Sequence, residues 1–235
     1  MSDAIKRCLI VDTETTGLDP VKDRVIEVGA VLYSVEHHTT ICQFSALIAS
    51  SREGNAAEAI NRIPPAALAS LSELDDAEAP LKTTFAMLRS WADVIVAHNA
   101  EFDQQWFKGA WLEKPWACSK YDFAWPHGSA GDSLVYLALA HGIGVLSAHR
   151  ALTDCQLIAA LFDRMPLYGR DLGEMFAHAM RPAAIFQAIV PFEEKDLAKE
   201  AGFKWDGGTK RWTRRMAIED AAALPFRTQR LGEVS

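Results

Sequence analysis

Several things that commonly fix a protein's class are scarce in this chain. Its 235 residues hold four cysteines, Cys8, Cys42, Cys118 and Cys155, and no two of them form Cys-x-x-Cys. That spacing argues against a zinc site or a disulfide frame and leaves reduced, mostly buried thiols. Cys155 sits beside Asp154 but has no nucleophile's signature around it, and it reads as packing. No apolar run reaches the ~20 residues that a membrane helix needs. The opening Met-Ser-Asp-Ala-Ile-Lys-Arg has no hydrophobic signal region, so the expectation is a cytoplasmic chain with no membrane partner. Internal repeats and low-complexity tracts are absent from the sequence. Basic residues are short as well, with 24 Lys+Arg against 31 Asp+Glu and a net charge of −7. This balance lowers the expectation of tight duplex binding without excluding single-strand chemistry. Bound cations cancel acidic charge locally. Residues 204–215 also run against the trend, with Lys204, Lys210, Arg211, Arg214 and Arg215 facing Asp206 alone.

At 49% hydrophobic, the chain has material for one full core and a small second unit. Cys8–Val11, Val25–Tyr33 and Thr39–Ile48 read as strands, with a turn at Gly17 and Asp19-Pro20 between the first two. Residues 51–80 are rich in Ala, Pro and acids and read as short helices and loops. Leu81, Phe85 and Leu88 have helical spacing and precede the apolar strand Val94–Ala97. Further helices are expected over Asn99–Phe107, Asp132–His141 and His149–Arg164, the last stopping before Pro166. This order gives an α/β domain with helices covering a mixed central sheet. We expect it to span residues 1–165, with a connecting helix or linker over 166–182 and a small α+β module over 183–235. In that module Ile185–Val190 reads as a strand, Glu193–Ala201 as a helix and Trp205–Trp212 as a turn around Gly207-Gly208.

Five residues in three segments carry the chemistry. Asp12 and Glu14 lie two apart on an extended segment, so both side chains leave the same face. They follow a buried strand, where unpaired carboxylates are costly. Read alone, the pair is as consistent with a solvated strand end bearing a capping Asp. Asp103, His149 and Asp154 are weaker still singly, since an Asp on a helix is usually part of a polar face. The conjunction is specific. Asp12-Thr13-Glu14-Thr15-Thr16-Gly17-Leu18-Asp19, Ile26-Glu27-Val28-Gly29-Ala30-Val31, His98-Asn99-Ala100-x-Phe102-Asp103 and His149-Arg150-Ala151-Leu152-x-Asp154 follow one another in order. Together they resemble the DEDD exonucleases of the histidine subclass, relatives of the proofreading ε subunit of bacterial DNA polymerase III. The resemblance covers roughly residues 8–165 and implies an RNase H-like fold.

The resemblance implies that Asp12, Glu14, Asp103 and Asp154 hold two Mg²⁺ or Mn²⁺ ions, a pairing suited to phosphodiester hydrolysis. His149 is then the general base, an imidazole with an ordinary pKa of about 6.5. Thr13, Leu18, His98 and Asn99 are candidate substrate contacts. Leu18 would wedge against the terminal base, and Asn99 is equally a candidate helix cap. The expected reaction is release of nucleoside 5′-monophosphates from the 3′ end of DNA, single-stranded or frayed, with a DNA polymerase or replication protein as candidate partner. An exoribonuclease shares the motifs. A non-catalytic polymerase-associated subunit is the reading from another class, and the five occupied positions argue against it.

In the C-terminal unit, Trp205 and Trp212 interleave with Lys204, Lys210, Arg211, Arg214 and Arg215, which makes all seven candidate nucleic-acid contacts. The competing reading puts the tryptophans in the core of a mini-domain. Lys120, in Cys118-Ser119-Lys120-Tyr121-Asp122, reads as ordinary surface. Gln187–Phe192 loosely resembles a sliding-clamp-binding peptide but overlaps the module's first strand.

Overall fold

The computed structural model describes residues 4–49, 54–74 and 78–233. Nine strands and nine α-helices occur among them, in the order β1 (Arg7–Thr15), β2 (Val25–Ser34), β3 (Thr39–Leu47), α1 (Glu58–Asn61), α2 (Pro65–Ser70), α3 (Glu78–Trp91), β4 (Val94–Ala97), α4 (Ala100–Gln104), β5 (Trp116–Cys118), α5 (Leu134–Ala140), α6 (Ala151–Arg164), α7 (Leu172–Ala179), β6 (Ala183–Ile189), α8 (Lys195–Glu200), β7 (Lys204–Asp206), β8 (Arg211–Ala217), α9 (Ile218–Ala222) and β9 (Arg227–Glu233).

The first sheet has the order β3-β2-β1-β4-β5. β1 pairs antiparallel with β2 and parallel with β4, so the sheet is mixed. Alternation splits its side chains between two cores. Cys8, Ile10, Val31 and Tyr33 meet Cys155, Ile158 and Phe162 of α6, while Leu9, Val11, Ala30 and Leu32 meet Phe85 and Leu88 of α3. In α6, Cys155, Ile158 and Phe162 return at helical spacing, which is why that helix lies flat on the sheet. Burying each such large apolar side chain stabilises the fold by about 1.5–3 kcal/mol. Two bonds fix α6 at its ends. The Tyr33 hydroxyl donates to Asp163 at 2.6 Å near the C-terminus, and the Ala151 N–H donates to Glu27 at 3.1 Å at the start.

The second sheet, β7-β8-β6-β9, is wholly antiparallel. Ala184, Phe186 and Ala188 of β6 pack with Ala198 of α8, Phe203, Met216 of β8 and Ala221 of α9. Arg181, just before β6, clamps α9 by two bonds to Asp220 at 2.9 and 2.8 Å.

Several expectations need correction. The expected turn over Trp205–Trp212 is a β-hairpin, with Trp205 and Trp212 directly opposed and only its tip in turn conformation. β5, α9 and β9 lie outside every expected element. The helix expected from Asn99 starts at Ala100 and is one turn long, and the connecting helix is Leu172–Ala179, capped by Asp171. Part of the 51–80 region, residues 51–53 and 75–77, lies outside the described residues, as do residues 1–3 of the opening segment. All four thiols are free, three of them buried. Among the described residues no helix is long and apolar enough to cross a membrane.

Candidate active site

The site forms where β1 outruns its parallel neighbour. β4 pairs with β1 only over Cys8–Ile10, which leaves the rest of β1 without a strand on that side. Asp103 of α4 takes the empty place. Its Oδ1 accepts from the Thr13 N–H at 3.1 Å and from the Thr13 hydroxyl at 2.8 Å, and the residue is 2% exposed. The chain ends of parallel strands at such a change of direction are where α/β sheets commonly bind ligands.

Asp12 and Glu14 leave β1 on the face that α6 covers, and Asp154 sits in the first turn of α6. One oxygen from each of these three carboxylates lies within 4.8 Å of the others. Burial first, then repulsion from Asp103, Asp154, Glu14 and Glu27, holds the Asp12 carboxyl well above its ordinary range. Burial, with Asp154 and Glu27 behind it, pushes Glu14 up to about 8. Asp103 is pushed up by burial to about 7, against the two Thr13 bonds that favour its charged form. Burial raises Asp154 while the nearby His149 opposes the shift. Asp154 Oδ1 is buried with no hydrogen-bond partner among the described residues. Packed carboxylates that repel one another, with a buried oxygen left over, fit a divalent cation with oxygen ligands.

A second layer, read in the sequence only as motif, positions α6. Glu27 of β2 is buried; its Oε1 and Oε2 accept from Arg150 Nη2 at 2.8 Å and Nε at 3.0 Å, and Oε2 also accepts from the Ala151 N–H. Gly29, two residues along, lets the helix approach, because a Cβ there would collide with the Ala151 backbone. Glu27 and Gly29 thus set the height of the helix turn that carries Asp154. The signal available in the sequence is the acid itself: a Glu inside a strand of otherwise buried residues needs a partner.

The remaining candidates are spread around this cluster. His149 is exposed and holds a left-handed backbone (φ 61°) immediately before Arg150, rather than opening α6. His98 has both ring nitrogens engaged, Nδ1 with the Ser119 hydroxyl at 3.0 Å and Nε2 with the Asp132 carbonyl at 3.1 Å. Burial and then Lys120 push its pKa down to about 4, so the ring is neutral: Nε2–H donates to Asp132 and Nδ1 accepts from Ser119. Asn99 stands before α4 in a left-handed conformation (φ 79°) and makes no capping bond, so the cap reading is corrected. Leu18 is 80% exposed at the tip of the β1–β2 loop. Asp23 shapes that loop by accepting from the Thr16 hydroxyl and the Asp19 N–H.

Among the C-terminal candidates, Arg215 is turned onto the first unit, donating to Asp122 at 3.1 Å and Glu101 at 3.4 Å. Arg214 donates to the Ala201 carbonyl, and Lys204 to the Gly131 carbonyl at 3.0 Å. Trp205 and Trp212 pair with ring centroids 5.5 Å apart, and Trp212 packs against the module core. Lys210 and Arg211 are exposed.

The exonuclease family model matches residues 9–114, and a domain of unknown function matches residues 184–231. The DNA polymerase III subunit epsilon of Treponema pallidum is 31% identical over 192 residues, covering 73% of this chain and 82% of that protein. A PolC-type DNA polymerase III of Thermotoga maritima is 30% identical over 165 residues, which are 66% of this chain but 12% of that protein. Among solved structures, Exonuclease X in complex with 5′ overhanging duplex DNA is similar at TM-score 0.51 and 26% identity, over 73% of this chain and 99% of that one. E. coli Exonuclease I in complex with a dT13 oligonucleotide shares the fold at TM-score 0.55 and 17% identity, over 78% of this chain and 48% of that one. The chain belongs to the exonuclease family, with its RNase H-like mixed sheet. It is an enzyme of the 3′–5′ exonuclease class.

Proposed function

We propose that the chain is a divalent-metal-dependent 3′–5′ exonuclease of DNA that releases nucleoside 5′-monophosphates from single-stranded or frayed ends. The observation that carries this is the convergence of Asp12, Glu14 and Asp154 around a buried, unpartnered Asp154 oxygen, with Asp103 held beside them by Thr13. These four carboxylates are the residues that hold the cations. Two divalent cations bound there supply an activated water and charge stabilisation of the leaving 3′ oxygen. His149, exposed beside Asp154, accepts the water's proton. Leu18 presses on the terminal base from the loop tip, and Asn99 faces the same nucleotide from the start of α4. The relative named as a DNA polymerase III subunit supports DNA as substrate and a polymerase as partner.

The test is an end-labelled oligonucleotide incubated with and without Mg²⁺, with an RNA of the same sequence in parallel. The expected result is Mg²⁺-dependent release of labelled mononucleotide from the 3′ end, faster on DNA. Internal cleavage, or no release, overturns the reading. In the same assay His149→Ala is expected to lose about 10²–10⁴-fold in turnover while a calorimetric titration shows cation binding retained.

A further inference from the structure

The C-terminal sheet has two unlike faces. On β6, Ala184, Phe186 and Ala188 are buried against the module core, while Ile185, Gln187 and Ile189 alternate to the other side. Cross-strand pairing extends that other side. Arg215 lies opposite Ile185, Thr213 and Gln229 flank Gln187, Arg227 lies opposite Ile189, and Lys204 lies opposite Thr213. Arg211, two residues from Thr213, faces the same way. The acid opposite it, Asp206, is folded into the hairpin turn, accepting from the Gly208 N–H and the Thr209 hydroxyl. Arg211 and Arg227 are exposed and form no ion pair among the described residues. Trp205 and Trp212 belong, by the same alternation, to the opposite face.

One end of this cationic face meets α4, the helix that carries Asp103. Arg215 holds Glu101 of α4 and Asp122, and Lys204 holds Gly131. Between the units lies a recess of about 220 Å³ lined by Asn99, Glu101, Tyr121, Ile185, Thr213 and Arg215 among others. Asn99 and Glu101 lead directly into Asp103. From Ile185 to Ile189 the face runs about 13 Å further, at ~3.3 Å per residue. In a chain of net charge −7, free arginines and amide side chains gathered on one sheet face, joined at one end to α4, the helix that carries Asp103, complement a polyanion.

We propose that the bare face of the C-terminal sheet is the track for the single strand immediately 5′ of the nucleotide being removed, with Arg211 and Arg227 on its phosphates. The proposal rests on the exonuclease reading of the site and adds the path of the strand and the task of the module. The test measures binding of a fluorescent single-stranded deoxynucleotide to the full chain by anisotropy at several KCl concentrations, with Ca²⁺ in place of Mg²⁺ to slow cleavage. The Arg211→Ala/Arg227→Ala double variant is expected to bind about tenfold more weakly at low salt. Its plot of log K against log salt should be shallower by about 1.4, from about 0.7 per phosphate contact on a single strand. Arg211→Lys/Arg227→Lys should restore the slope, which separates lost charge from altered shape. Wild-type affinity and slope in the alanine variant overturn the proposal, and so does an affinity loss found only in Trp205→Ala, on the opposite face. Hydrolysis of the p-nitrophenyl ester of thymidine 5′-monophosphate, too short to reach the sheet, is measured separately with Mg²⁺. Its failure strikes at the exonuclease reading and leaves the binding result to decide the track.

Discussion

The two sheets obey the same period-two rule and finish with opposite charge. In the first, β1 and β2 are covered on both faces, and the acids they carry lie together at the end of the pair where β1 outlasts β4. What gathers there is acidic and crowded. In the second, helices cover one face alone, and the other face carries Arg211 and Arg227 in solvent. An acid on a doubly covered sheet costs stability and so marks chemistry, whereas a cation on a half-covered sheet costs little and gains meaning from its neighbours.

The sharpest way to break that contrast is to neutralise the most crowded acid. Asp12→Asn is expected to lower turnover by about 10³-fold or more, since Asp12 feels all the other carboxylates of the cluster. The same change should raise the melting temperature of the metal-free chain, because it removes a carboxyl that the fold can hold only by keeping it protonated among its acidic neighbours. Loss of activity with loss of stability would mean that the cluster is not held under repulsion. Next in size is Arg150→Ala, which leaves the buried Glu27 carboxylate without its cation. Arg150 is 42% exposed, so the expected loss is about 1–2 kcal/mol, below that of a fully buried pair. Denaturant unfolding would measure the loss, and activity should fall with it because Asp154 rides on the same helix turn.

Titration offers a further contrast. Glu14 moves from an ordinary 4.5 to about 8 and Asp103 from 3.8 to about 7 in the folded chain. The folded state therefore keeps protons that the unfolded state has lost, so metal-free stability should fall as pH rises from about 4.5 to about 8. Melting in EDTA should be higher at pH 5 than at pH 8, and Mg²⁺ should help most at pH 8, where it replaces those protons. A flat profile in EDTA would contradict the crowding of Glu14.

The acids and the helices behind them were legible because their signals are local. Asp12 and Glu14 share a strand, Asp103 and Asp154 sit at fixed steps from His98 and His149, and α6 repeats its apolar positions at helical spacing. What escaped depends on distance or lacks apolar pattern. Glu27 and Arg150 meet across 123 residues, which no spacing announces. β9, Arg-Thr-Gln-Arg-Leu-Gly-Glu, is an edge strand with almost no apolar residue, and β5 is three residues long. The left-handed residues Asn99 and His149 stand just before α4 and α6, so each helix starts one or two residues later than expected.

The smallest expected effect tests whether the two sheets act together. Arg215 is 15% exposed and Asp122 6% exposed at their side chains, and Asp122 also accepts from the Cys118 N–H at 2.7 Å. Burial lifts the Asp122 carboxyl while Arg215 pulls it back, so removing the guanidinium leaves an acid that favours its proton. Arg215→Ala should therefore cost only about 1 kcal/mol of stability, because it also relieves the buried, unpartnered Arg215 Nε, and the cost should be greater at pH 8 than at pH 5, where Asp122 can take up that proton. Limited proteolysis between α7 and β6 should quicken in this variant if Arg215 ties the units together. An unchanged cleavage rate would show that Arg215 does not tie the units together and would leave Lys204 on Gly131 among the contacts that do.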